Sequence, residues 1–219
     1  MLRPFVYNPP LKPLEIIYID SSVVVLNKPA GLLTVPGRPE NHSDCLLTRV
    51  RKKVFGALLV HRLDLDTSGI IIFARTTSSQ VNLGHQFEER RTKKIYRAKV
   101  SGHIKKDTGL INLPIVVDWP NRPIQKVCFE TGKDSITRYK VLERTNAKIS
   151  LVELYPITGR THQLRLHMKS IGHPILGDSL YADEKSFRAS ERLNLHAFSL
   201  EITHPKTDQK KIFSAPVPF

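Results

Sequence analysis

Acidic side chains are scarce in this chain. It carries 20 aspartates and glutamates against 34 lysines and arginines, a formal charge of +14 on 219 residues. An imbalance of that size says little about fold and much about partners: nucleic acid, an anionic membrane surface or acidic substrates. Cysteine is nearly absent, with Cys45 and Cys128 alone, which excludes a disulfide framework and fits a reducing cytosol. Long apolar runs are missing; a stretch such as "SGIIIFA" is far too short to span a bilayer. The N-terminal "MLRPFVYNPPLKP" has no apolar run of signal-peptide length and is broken by prolines. There is one tryptophan, which argues against a sugar site built on stacked aromatics. No G-x-G-x-x-G occurs, "TGKDS" lacks the upstream glycine of a phosphate loop, and there is no G-x-S-x-G. His162 and His167 are five apart, not the four that set two metal ligands on one helix face. "DTSG" is an aspartic-protease tetrapeptide, but that chemistry needs two such loops.

What is present reads as an α+β protein with a mixed, mainly antiparallel sheet and flanking helices, because strands outnumber helices and few strand pairs are separated by one. Residues 1–13, with four prolines, read as an extended arm, and 14–219 as a single domain. "LEIIYIDSSVVVLNKPAG" predicts two strands around Asp20–Ser22, ending at Lys28-Pro29. "DCLLTRVRKKV" predicts a helix capped by Ser43 or Asp44. "ALLVHRL" and "GIIIFA" are strand candidates, and "SSQVNLGHQFEERR" a helix. "KKIYRAKVSG" alternates, with Tyr96, Ala98 and Val100 on one face. Strands are expected at 125–130, 136–143, 148–154 and 195–203. "RTHQLRLHMKSIG" predicts a helix with Leu164, Met168 and Ile171 toward the core, His162, Arg165 and Lys169 on another face, and Gly172 as stop.

Three stretches carry possible chemistry. "EERRTKKIYRAKV" gathers Arg90, Arg91, Lys93, Lys94, Arg97 and Lys99 around Tyr96. Such a run is usually a solvated face; a basic strand bearing an aromatic also suits RNA, with cations for phosphates and a ring for a base. In "PITGRTHQLRLHM", Arg160 and Arg165 lie close to core-facing neighbours, and an arginine so placed wants a carboxylate partner, for packing or for a site. "HRLDLDTSG" sets Asp64 and Asp66 two apart. They could cap a turn, or serve as the acid and nucleophile of a glycosidase.

Taken in order, "VVLNKPAGLLTVPGR", "HRLDLDTSG", "KKIYRAKV", "LYPITGRTHQLRLHMKSIGHPILGD" and "LNLHA" resemble the RluA family of RNA pseudouridine synthases over nearly the whole chain. The segment "DWPNRPIQKVCFETGK" is similar to family members that act on both a transfer RNA and large-subunit ribosomal RNA. The resemblance implies the pseudouridine synthase fold around a central basic cleft, with no separate N-terminal RNA-binding domain. It implies isomerisation of uridine in a transfer-RNA anticodon stem-loop (position 32) and a 23S rRNA stem-loop (position 746), without cofactor or metal, by a cytoplasmic monomer. It assigns catalysis to Asp64, with Arg165 as the cation that keeps the carboxylate ionised. Tyr96 becomes the ring that stacks on uracil, and Arg62 the group that fills the space of the flipped base. Leu164 would line the pocket. Arg160, His162, Lys93 and Lys94 are candidate RNA contacts, and Asp66 is left to turn chemistry with Thr67 and Ser68. The alternatives are the same chemistry on another uridine, or an RNA-binding protein without activity.

Overall fold

The computed structural model describes residues 6–37 and 42–219. They fall into two compact units, Val6–Lys94 with His196–Pro218, and Ile95–Leu195 with Phe219. Residues 1–5 of the expected arm lie outside the described residues; those that follow pack onto the first unit, where Tyr7 Oη donates to the Asp44 carbonyl at 2.7 Å and Arg49 donates to the Pro10 carbonyl at 2.7 Å.

The first unit opens with β1 (Glu15–Ile19) and β2 (Val23–Lys28), an antiparallel pair joined through Asp20. The Asp20 carboxylate accepts from the backbone N–H groups of Ser22 and Val23, so the turn is written into its own side chain. Backbone N–H donors, Tyr18 and His204 hold this carboxyl down to about 2 despite the opposing effect of burial. Next come α1 (Leu46–Lys53), β3 (Leu58–Leu59), β4 (Ser68–Ala74) and α2 (Thr77–Glu88). The cap of α1 is Cys45 rather than Ser43 or Asp44, because Asp44 is drawn into a bidentate pair with Arg49 at 2.8 and 2.7 Å. "ALLVHRL" forms a strand only at Leu58–Leu59; beyond it, side chains take over the backbone groups. β4, buried at every residue, is the central strand, as its unbroken apolar run requires.

The second unit takes up β5 (Lys93–Ser101) from Ile95, followed by β6 (Thr108–Asn112), β7 (Ile115–Val117), β8 (Gln125–Val127), β9 (Ile136–Thr145) and β10 (Ile149–Pro156). The strand expected at 125–130 stops at Val127, where Cys128 N–H turns to the Pro114 carbonyl. Strands β5, β10, β9 and β6 pair antiparallel in that order, and β7 with β8 forms a separate hairpin. Two helices follow, α3 (Gln163–Ser170) and α4 (Glu184–Arg188). The chain returns to the first unit in β11 (Leu195–Thr203) and β12 (Lys210–Ser214), giving the order β1-β2-β4-β11-β12. Only β4 and β11 run parallel among the pairs described, in line with the expected mainly antiparallel α+β fold.

Each unit has its own core. In the first, Val23, Val25, Ile70, Ile72, Leu83, Leu200 and Ile202 are buried together; in the second, Ala98, Val100, Val152, Leu154, Leu164 and Met168. The alternation of β5 holds, since Ala98 and Val100 are fully buried on the face from which Tyr96 packs against this core. No helix among the described residues is long and apolar enough to cross a membrane.

Gly69 shows how tightly β4 meets β11. Its φ is +111°, and a Cβ there would lie 2.3 Å from the Ala197 carbonyl oxygen. Gly69→Ala should therefore cost at least about 2 kcal/mol, from the sum of backbone strain and steric clash. Thermal unfolding checks this: an unchanged midpoint would mean that β11 yields easily.

Candidate active site

Asp64 sits half-buried on the loop between β3 and β4, with Arg62 exposed beside it. The loop is held by its backbone. Lys28 is fully buried at the end of β2, and its ammonium donates to the carbonyls of Pro29 (3.0 Å), Leu32 (2.6 Å) and Leu65 (2.8 Å). Gly31 N–H reaches the same Leu65 carbonyl at 3.0 Å. On the other side of Asp64, Thr34 Oγ1 donates to the Leu63 carbonyl at 2.7 Å and accepts from Leu63 N–H at 3.3 Å. Thr67 N–H closes on the Asp64 carbonyl at 3.2 Å, forming the turn that Asp66 occupies. Ser68 then bonds His196 Nδ1 at 2.8 Å. Both neighbours of Asp64 thus have their carbonyls clamped.

Just upstream, His61 stacks on Phe87 with centroids 4.5 Å apart, and its Nε2 accepts from Ile72 N–H at 3.2 Å. Burial first, and Lys94 second, push this imidazole down to about 3, so it is neutral and able to accept. His61 is therefore a strand-capping acceptor. Lys94 is half-buried over Phe87, its own pKa lowered by burial and then by Arg90. Lys93 pairs with Glu201 at 3.0 Å. That contact is a surface ion pair of small net strength, able to yield to a phosphate.

Tyr96, Leu164, Arg165, Arg160 and His162 belong to the second unit. Tyr96 and Leu164 share its core, and Tyr96 lies opposite Leu154 across β5 and β10. The helix predicted from Arg160 begins at Gln163, because His162 takes the left-handed conformation (φ 55°). Gln163 is buried and ties the turn together: its Oε1 accepts from Thr158 Oγ1 and Arg160 N–H, and its Nε2 donates to the Ile136 carbonyl and to Thr137 Oγ1. Thr137 in turn meets His167 Nδ1 at 2.9 Å, while His167 Nε2 faces the Leu113 carbonyl at 3.0 Å. A carbonyl only accepts, so Nε2 carries the proton and Nδ1 accepts from Thr137; burial lowers the His167 pKa and favours this neutral ring. Gly172, at φ 84°, ends the helix as expected.

Arg165, set by the spacing on one face with His162 and Lys169 and close to core-facing neighbours, is buried, whereas His162 is half-buried and Lys169 exposed. Arg165 is 3% exposed, and its guanidinium forks onto Asp178, which is fully buried, at 2.8 Å from Nε and 2.6 Å from Nη2. Asp178 also accepts from Leu180 and Tyr181 N–H, and the Tyr181 ring centre lies 5.3 Å from the guanidinium carbon. Tyr181 Oη bonds His162 Nδ1 at 2.9 Å and accepts from Gln125 N–H at 2.9 Å. Arg160 is exposed and donates to the Asp134 carbonyl at 3.3 Å. The carboxylate that an arginine at this position calls for is thus present in Asp178. That residue was not singled out from sequence; its only signal was an acid close behind the helix, in "HPILGD".

A family model described as RNA pseudouridylate synthase matches residues 22–170. The chain belongs to that family. It is 50% identical over 214 residues to the dual-specificity RNA pseudouridine synthase RluA of Escherichia coli (strain K12), covering 97% of this chain and 98% of that one. The same-named enzyme of Vibrio cholerae is 48% identical, over 97% and 87%. Among solved structures, human RNA pseudouridylate synthase domain containing 1 superposes with a TM-score of 0.77 at 30% identity, over 100% of this chain and 87% of that one. Domain containing 4 gives 0.75 at 25% identity, over 93% and 88%. The fold expected from the resemblance is therefore the fold found. Among the described residues, no cluster of three histidine, cysteine or acidic side chains could hold a metal.

Removing one partner of the buried pair leaves a charge without compensation. Asp178→Asn should destabilise by about 3–5 kcal/mol, and a double change of Arg165 and Asp178 to apolar residues should cost less than either single change. Urea midpoints measure this; single variants as stable as the parent would contradict it.

Proposed function

We propose that this chain isomerises uridine to pseudouridine in the anticodon stem-loop of a transfer RNA and in a 23S rRNA stem-loop, at the two positions the resemblance implies. The observation that carries the reading is near-full-length identity of 50% to a dual-specificity synthase. The charge of +14 supports an RNA substrate, since phosphate contacts supply most of the affinity.

The reaction breaks the bond from the sugar C1′ to N1 of uracil and forms one from C1′ to C5. C5 gives up a proton and N1 gains one, so nothing is oxidised and no group is lost. Asp64 acts on the nucleotide while the base is detached. The clamps on Leu63 and Leu65 favour this role by fixing through its backbone the loop that carries Asp64. Arg165, locked in plane by Asp178, is the cation assigned to keep Asp64 ionised. Tyr96 stacks on the uracil and is placed for the proton at C5. Leu164 lines the pocket, and Arg62, exposed on the same loop as Asp64, enters the helix space left by the flipped base. Arg160, His162, Lys93 and Lys94 contact RNA. The protein works as a monomer in the cytoplasm.

Asp64→Asn is expected to abolish pseudouridine formation while RNA binding stays within about tenfold, and Asp66→Asn to retain substantial activity. Normal turnover by the Asp64 variant would overturn the assignment. Unpaired loops are where bases can be splayed and read, so an isolated stem-loop of about 15–20 nucleotides should be modified as well as the full-length RNA. Modification of full-length RNA alone, or of an assembled ribosomal particle alone, would refute recognition of a local loop.

A further inference from the structure

The segment that joins β7 to β8, "DWPNRPI", has no part in the chemistry above. It is rigid. Asp118 N–H bonds the Ile124 carbonyl, Asn121 N–H the Asp118 carbonyl and Ile124 N–H the Asn121 carbonyl, all within 2.9–3.0 Å. Asn121 Nδ2 reaches Asp118 Oδ2 at 2.8 Å, and Pro120 and Pro123 restrict two further φ angles. The base of the hairpin is anchored where Gln125 N–H meets Tyr181 Oη and where Ile124 and Val127 pack on buried Ile115, Leu166 and Tyr181.

At this fixed tip the only tryptophan of the chain, Trp119, stands 66% exposed. The Arg122 guanidinium covers one face, its carbon 3.1 Å from the ring centre. With that face covered and two-thirds of the residue still in water, the opposite face is the open one. The neighbouring acid, Asp118, is turned to Lys126 at 3.6 Å and to Asn121, so it presents no uncompensated charge. A protein partner would want a broad apolar patch, and the residues around the ring, Pro120, Asn121, Arg122 and Pro123, do not provide one. A single flat ring backed by a cation matches an unpaired base and its phosphate.

We infer that Trp119 is a stacking platform for an unpaired base of the RNA loop other than the target uridine, with Arg122 serving the adjoining phosphate. The inference deepens the proposed function and rests on RNA being the substrate.

Because Trp119 is the sole tryptophan, the intrinsic fluorescence of the intact protein reports on it directly. Titration with an isolated anticodon stem-loop should quench it saturably, and a fully paired RNA of equal length should not. Trp119→Phe should bind within about threefold of the parent, whereas Trp119→Ala should lose about tenfold or more in affinity and in kcat/KM, with kcat at saturating RNA retained. Saturated binding, measured separately by filter retention, without quenching would overturn the inference. So would equal quenching by the duplex, an alanine variant that binds within twofold, or a concentration-dependent change without RNA, which would assign the ring to self-association. The parent titration and the phenylalanine variant decide the matter even if the alanine variant is unstable. Quenching without pseudouridine formation would sink the proposed activity and leave the platform standing; pseudouridine formation without quenching would do the reverse.

Discussion

A cation taken out of water has to be surrounded by oxygen, and among the described residues this requirement is met in each unit. In the first, the Lys28 ammonium is fully buried and satisfied by three carbonyls. In the second, the Arg165 guanidinium is satisfied by the fork of Asp178. Leaving either charge unpaired costs several kcal/mol, so the surrounding backbone is obliged to take the shape that supplies the oxygens. For Lys28 that shape is the loop carrying Asp64. For Arg165 it is the turn after α3, whose backbone N–H groups at Leu180 and Tyr181 orient Asp178 in turn.

His61 and His167 follow the same logic from the opposite side. Burial lowers the pKa of both; His61 Nε2 accepts from Ile72 N–H, and His167 has both ring nitrogens engaged, by Thr137 and the Leu113 carbonyl. This is consistent with a reaction whose proton transfers are assigned to a carboxylate and an aromatic ring. The excess positive charge stays at the surface in lysines and arginines such as Arg62, Lys93, Arg122 and Arg160, where water and salt screen it and phosphate can displace weak ion pairs.

The sequence by itself determined what depends on neighbours along the chain. The apolar run of β4, the alternation of β5, the core face of α3 and its stop at Gly172 are local patterns, and they match the structure. The ordered motifs that carry the family are local too. Tertiary structure decided which distant group answers each polar one. The strand after Leu59 breaks off where Thr34, far away in sequence, takes the Leu63 backbone groups and His61 takes the Ile72 N–H. The carboxylate that answers Arg165 is Asp178, beyond the end of its helix. Trp119 stands in water because its hairpin is anchored at Tyr181, not at its own ring. Periodicity records which face of an element is apolar; it does not record the partner of a buried charge, since that pairing is made across long sequence separations once the elements have packed.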